Sequence, residues 1–248
     1  MKIDIIIGHS STDSFRIRNI KHIIKYYSRH LPNSNIIVVE QKTNTKITGK
    51  NLKHIILNKD EKYYNRSLGL NIGYKNSSAD LLILSDNDCL VDVNILKNID
   101  NYMNDCDVFI PYNFVYYMND EESASVIKNN KINDSFGAPR RKKNASHGGV
   151  NFIKSDKYME IGGHDMHFRG WGGEDDVFFY LCKKFLKVKR TPGDYKMYHL
   201  YHPVESNNKH KRTDDYKFNK HRVNIVRGYS EKECLEYISE RKKELNKL

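Results

Sequence analysis

The sequence predicts an α/β fold: a mostly parallel, doubly wound central sheet with helices on both faces. Two runs carry the prediction. Ile3 to Ile7 and Leu81-Leu82-Ile83-Leu84 are nearly continuous in apolar residues, as strands covered on both faces are. Between them apolar residues recur at helical spacing, so strands and helices alternate through residue 88.

The first strand, 3–7, stops at the turn formers Gly8-His9-Ser10-Ser11. Phe15, Ile20, Ile23, Ile24, Tyr27 and Leu31 then predict a helix, capped by Asp13 or Ser14 and stopped by Pro32. Strands follow over 35–40 and 53–57, and Leu68 and Ile72 place a helix over 65–75. The strand 81–84 runs into Asp86-Asn87-Asp88, at the carboxyl end where such sheets gather ligands. After a strand over 107–111, residues 118–147 are polar and basic, with Arg140-Arg141-Lys142-Lys143 and little periodicity, and predict a mobile loop able to act as a lid. A strand over 148–153 and a short helix around 158–161 lead to Gly170-Trp171-Gly172-Gly173. The helix expected over 174–186 has an acidic start, a basic end and an apolar stripe of Val177, Phe178, Leu181 and Phe185. A capping box, Ser230 to Glu233, opens a last helix with Leu235, Ile238 and Leu245 facing inward.

At 248 residues and 38% hydrophobic, the chain suits one domain with a full core. Lysine and arginine exceed the acids by 42 to 31, a net charge of +11 that draws polyanions such as nucleotides, although an AT-rich codon habit gives the same excess. Aromatic and basic residues do not interleave as in nucleic-acid-binding motifs, so no nucleic-acid partner is expected. The four cysteines form no CxxC pair, which points to a reducing compartment. No apolar run is long enough to be a signal peptide or membrane span, so a soluble, cytoplasmic protein is expected.

Three segments carry chemistry. Asp86-Asn87-Asp88 presents two carboxylates on a turn, hard oxygen ligands with which a divalent cation could bridge protein and diphosphate. His199 and His202 end another expected strand, and imidazole with carboxylate suits manganese better than magnesium. In Gly170 to Asp176, the glycines permit close ligand approach and Trp171 offers a flat face for a pyranose ring. Glu174, Asp175 and Asp176 repel one another, which can raise one of them toward a useful base.

With these residues in view, the chain resembles the GT-A glycosyltransferases, whose nucleotide-binding fold is Rossmann-like, and most closely the catalytic part of the family 7 beta-1,4-galactosyltransferases. Family 2 and the polypeptide N-acetylgalactosaminyltransferases are more distant likenesses. Tyr64-Asn65-Arg66-Ser67-x-x-Leu70-Asn71-Ile72-Gly73 is similar to the family's Phe-Asn-Arg-Ala-x-x-Leu-Asn-Val-Gly, which implies that Arg66, with Tyr64, meets the donor diphosphate and sugar. Asp86-Asn87-Asp88 resembles Asp-Val-Asp, implying that Asp86 contacts the donor and Asp88 ligates manganese. His147-Gly148-Gly149-Val150 resembles a Gly-Gly-Val segment and sets Gly149 beside the transferred sugar. The Gly-Trp-Gly-Gly-Glu-Asp-Asp run matches residue for residue. It implies Trp171 and Asp176 on the acceptor, Glu174 on donor hydroxyls and Asp175 as base.

There are two departures. The family's Met-x-x-His is one residue shorter here, Met197 to His199, which leaves His199 the preferred metal ligand and His202 the reserve. Gly8-His9-Ser10-Ser11 stands in place of Pro-Phe-Arg-x-Arg, so His9 is the expected nucleotide contact and uridine follows from the general likeness.

The resemblance implies a manganese-dependent, inverting hexosyl or N-acetylhexosaminyl transfer from a nucleotide sugar to a glycan, glycolipid or protein acceptor. One catalytic domain would span 1–248, with a nucleotide-sugar half over 1–115, an acceptor half over 148–204 and a C-terminal extension over 205–248. Animal members are membrane-anchored, and the missing anchor suggests a bacterial or viral source. A retaining transferase and a non-catalytic sugar-binding domain are the alternatives. Against retention, the polypeptide N-acetylgalactosaminyltransferases place Asn where this chain has Asp175.

Overall fold

A computed structural model describes residues 1–43, 45–57, 64–140, 142–170, 172–203 and 213–248. Among them, eleven strands form a seven-stranded and a four-stranded sheet.

The alternation up to residue 88 forms as the sequence predicts. Strand β1 (Ile3–His9) is buried along its length. It leads to α1 (Ser14–His30), where the Asp13 side chain accepts the Arg16 N–H as N-cap. Strands β2 (Asn35–Gln41) and β3 (Leu52–Leu57) follow, then α2 (Arg66–Lys75), capped by Asn65, and β4 (Leu81–Ser85). β1, β2, β3 and β4 pair in parallel in the order β3-β2-β1-β4. Chain order reverses between β1 and β4, so the crevice at their carboxyl ends is a topological switch point. The Asp86-Asn87-Asp88 turn lies there.

Beyond β4 come β5 (Cys89–Leu90), α3 (Val93–Lys97), α4 (Ile99–Met103) and β6 (Val108–Ile110). β7 (Phe114–Tyr117) precedes α5 (Asp120–Asn129) and β8 (Ala138–Pro139). The loop expected over 118–147 is therefore corrected. α5 is a helix opened by an Asn119–Glu122 capping box, with Ser123 and Val126 as its buried residues. So narrow an apolar face leaves little periodicity to read.

β9 (Val150–Lys154) enters the large sheet antiparallel, between β4 and β6. α6 (Ser155–Glu160), α7 (Glu174–Phe185), β10 (Val188–Arg190) and β11 (Lys196–His199) complete the region. β10 extends the large sheet beside β6, and β11 lies between β5 and β7 in the small one. The sheet is thus mostly parallel, with helices on its faces.

α8 (Asp214–Arg227), capped by Thr213, packs on α7, and α9 (Glu231–Asn246) opens with the expected box. Ile238 and Leu245 face inward, whereas Leu235 is 52% exposed, a correction. The stripe through Cys234, Tyr237, Ile238, Arg241 and Leu245 leaves Leu235 to one side. Buried Arg241 donates to the carbonyls of Ile161 and Gly163, while Tyr237 and Arg222 hold Asp165, so α8 and α9 clamp the loop between α6 and α7. All four cysteines are buried and unpaired. Among the described residues, no helix is long and apolar enough to cross a membrane.

Candidate active site

Strand pairing brings the first cluster together. Cys89, next to Asp88, lies opposite His199 in the β5–β11 register, and the Leu200 N–H donates to the Asp88 carbonyl at 2.8 Å. His199 Nε2 therefore comes to 3.6 Å from Asp88 Oδ1, and His202 Nε2 to 3.4 Å from Oδ2. The His199 Nδ1 is 2.9 Å from the Leu200 carbonyl and the His202 Nδ1 3.1 Å from that of Pro203. An Nδ1–H donated there turns an Nε2 lone pair toward Asp88. Arg16 Nη2 also stands 3.3 Å from His202 Nδ1, a contact that suits the other tautomer.

Burial alone would push Asp88 up, but the imidazoles of His199 and His202 and the Arg16 guanidinium hold it below the usual carboxylate range. Burial likewise keeps His202 below the usual imidazole value, so it stays neutral and able to ligate. The three ligand atoms lie within 4.8 Å of one another and fit one divalent cation with positions to spare for oxygen ligands. Cys89 Sγ is 3.4 Å from Asp88 Oδ1, and burial and the two aspartates push its thiol up.

Across the crevice, Arg66 begins α2 and joins two carboxylates. Its Nε is 2.6 Å from Asp86 Oδ1 and its Nη1 is 2.7 Å from Asp175 Oδ1. Burial raises Asp86 despite Arg66. For Asp175 burial is outweighed by the Arg66 guanidinium, joined by His164 once acid protonates that imidazole, and these bring it down to about 2. Glu174 is pushed up to about 7, by burial first and then by the charge of Asp175, and its Oε2 has no hydrogen-bond partner. Such an orphaned acceptor fits a ligand hydroxyl.

Glycine geometry shapes this wall. Gly170, Gly172 and Gly173 all have positive φ, which turns the chain sharply into α7 and sets Glu174 and Asp175 in its first turn. At Gly148 any side chain would collide with the Asp175 carboxylate.

Two cavities meet at Asp86, Glu174 and His199. One, of about 420 Å³, is lined by Arg16, Lys42, Tyr64 and Arg66, cationic and phenolic groups suited to a diphosphate. The other, of about 320 Å³, is lined by Tyr117, Gly149, Asp175 and Asp176, with Arg140 stacked over the Tyr117 ring. Asp176 also lies 3.6 Å from Arg227 of α8.

With this geometry in place, the comparisons agree. The profile of the chondroitin N-acetylgalactosaminyltransferases matches residues 5–234. The chain belongs to the chondroitin N-acetylgalactosaminyltransferase family. Human beta-1,4-galactosyltransferase 3 is 29% identical over 140 residues, which are 54% of this chain and 30% of that protein. This member of the family thus aligns with under a third of the length of that relative. Drosophila beta-1,4-galactosyltransferase 7, crystallised with manganese, UDP-Gal and xylobiose, superposes with a TM-score of 0.52 at 14% identity, over 89% of this chain and 80% of that one. GalNAc-T7 with UDP, GalNAc and Mn²⁺ gives 0.60 at 16%, over 90% and 47%. These likenesses are of fold, and the fold is GT-A; the family places the chain among the glycosyltransferases.

The structure gathers Tyr64, Arg66, Asp86, Asp88, Gly149, Glu174, Asp175, Asp176, His199 and His202 around the two cavities. Trp171 lies outside the described residues. His9 lines neither cavity. It is fully buried, its Nδ1 2.6 Å from Asn87 Nδ2 and its Nε2 2.5 Å from Ser11 Oγ, and so braces the turn between the aspartates. Sequence reasoning passed over Arg16 and Lys42, which nothing in their surroundings marks, and His164, whose signal was a Gly-Gly-His-Asp turn before the glycine-rich run.

Proposed function

We propose that this chain transfers a hexose or N-acetylhexosamine from a UDP-sugar to an acceptor hydroxyl, with inversion and with manganese held by Asp88, His199 and His202. The observation that carries the proposal is the place of that cluster: it stands where the cationic cavity meets the one holding Asp175. A cation bound there supplies Lewis acidity to the departing diphosphate. Arg16, Lys42 and Arg66 add positive charge, with Tyr64 and Asp86 on the donor side and Gly149 beside its sugar. His9 serves the nucleotide indirectly, through Asn87.

Glu174, held near neutrality, can both donate to and accept from sugar hydroxyls. Asp175 takes the acceptor proton, and Asp176 and Trp171 hold the acceptor, a glycan, glycolipid or protein. The Arg66 contact that keeps Asp175 weakly basic is a property of the ligand-free site. A diphosphate beside Arg66 competes for the same guanidinium and strengthens the base. One catalytic domain spans 1–248, its donor half over 1–115, its acceptor half over 148–204 and its extension over 205–248.

The test is turnover of a panel of UDP- and GDP-sugars with and without manganese, using simple sugar acceptors, followed by NMR of the product's anomeric configuration. Manganese-dependent UDP release with an inverted product is expected. Retained configuration overturns the role of Asp175, and silence across the panel overturns the transferase.

A further inference from the structure

Behind Asp175 stands a chain of buried polar groups that the proposed transfer does not use. His164 is 2% exposed, and its ring stacks on Phe178 with centroids 3.9 Å apart and planes 11° apart. Its Nε2 lies 3.8 Å from Asp175 Oδ1, and its Nδ1 lies 3.0 Å from the Tyr158 hydroxyl.

The hydrogen-bond pattern around Asn71 decides which nitrogen bears the proton. Asn71 Oδ1 accepts the His164 backbone N–H at 3.0 Å, while Asn71 Nδ2 donates to the His164 carbonyl at 2.8 Å, so the orientation of the amide is set. The Tyr158 hydroxyl donates its one proton to the same Oδ1 at 2.7 Å. Its oxygen can then only accept from His164, which requires a proton on Nδ1. Burial holds the imidazole at about 4, so near neutral pH it carries that proton alone. A bare Nε2 lone pair faces the Asp175 carboxylate.

We propose that His164 is a positioning residue for Asp175, its unprotonated Nε2 accepting a hydrogen bond from the Asp175 carboxyl once that group has taken the acceptor's proton. The inference rests on Asp175 being the base. As the acceptor O–H bond breaks, its proton passes to Asp175 and its electron pair forms the bond to the anomeric carbon. The bond from that carbon to the diphosphate oxygen breaks, and its electrons leave with the diphosphate. His164 remains neutral throughout.

The other groups facing Asp175 fit the sequence of events. Arg66 holds Oδ1 while the carboxylate is charged, that charge helps to push Glu174 and Asp86 up, and Gly148 leaves room beside Oδ2. Once Asp175 is protonated the ion pair with Arg66 lapses, and a shift of about an ångström brings the carboxyl within hydrogen-bond length of Nε2.

Side-chain ¹⁵N NMR, with the His164 signals assigned through His164→Phe, tests the tautomer without any turnover. A protonated Nδ1 and bare Nε2 are expected, and a protonated Nε2 overturns the proposal. His164→Phe keeps a ring to stack on Phe178 and loses both nitrogens. It should lower kcat about 10- to 100-fold, less than the full worth of a general base, with the donor KM and the manganese dependence unchanged. An unchanged kcat, or a loss shared by the donor KM, overturns it.

Should that variant fail to fold, Tyr158→Phe frees the tautomer that the hydroxyl sets. Mixed ¹⁵N signals and a smaller kcat loss are expected, and an unaltered spectrum overturns the proposal. If the wild type transfers no sugar, the transferase reading fails while the NMR result still decides the tautomer.

Discussion

Asp88 and Asp175 both come from short acidic runs in the sequence, and both end up in one crevice. Their partners differ. Asp88 faces two imidazoles, whose Nε2 atoms can serve a cation as readily as a proton. Asp175 faces Arg66, a permanent cation that cannot ligate a metal and is shared with Asp86. The same side chain is thus kept open to a cation on one wall and is already compensated on the other.

The largest expected effect tests the open wall. Asp88→Asn should lower manganese-dependent UDP release by about 1000-fold, the few kcal/mol that a metal contributes as Lewis acid. Its thermal unfolding without metal should stay near that of the wild type. A fall in metal-free stability as large as that of an Arg66 variant would break the contrast.

Arg66→Met tests the compensated wall. It leaves two part-buried carboxylates, Asp86 and Asp175, facing each other without a cation, and should cost about 1–3 kcal/mol in urea unfolding, less than removing one partner of a fully buried pair. A cost under about 1 kcal/mol would place the pair with surface ion pairs.

Acidification sharpens the difference. His9, His22, His147 and His164 are each held by burial to about 4, against 6.5 for a free imidazole. Between these values the unfolded chain binds more protons, so stability falls as pH drops from about 6.5 to about 4. Glu174, raised to about 7 from 4.5, and Asp86, also raised, bind a proton more tightly when folded and act in the opposite sense, against the four imidazoles and against His30 and His202, which burial also lowers. Denaturant midpoints across that range should decline toward acid. Manganese binding, followed by thermal shift, should fade in the same direction as His202 takes a proton, whereas the Arg66–Asp175 pair persists to about 2. A flat profile would refute the assignment of neutral buried imidazoles.

The smallest effect lies outside both walls. Ser230→Ala removes the N-cap of α9 and should cost about 1 kcal/mol with turnover unchanged. Lost turnover would show that α9 reaches the site through the loop it clamps.

How much could be read in advance follows from the range of the interactions. β1, β4, α1 and α7 were legible because their signals are local: buried apolar runs, helical spacing, caps and an acidic first turn. The small sheet was not, since β5 and β8 have two residues each and exist only through pairing with distant strands. α5 and α8 bury too few apolar residues to show a stripe. At the site, the acids and histidines could be named, but the inward turn of His9 toward Asn87 and the network behind Asp175 could not.

The sequence by itself determined a parallel sheet with an Asp-x-Asp turn at its carboxyl edge and a carboxylate-bearing helix start, because apolar patterning and turn chemistry act over a few residues. Only the tertiary structure decided that His199 and His202 both reach Asp88, that Arg66 spans two carboxylates and that His164 stands behind the expected base. The contacts of Asp88 with the two histidines and of Arg66 with Asp175 join residues about a hundred positions apart, and strand register and helix packing set them, which no local pattern encodes.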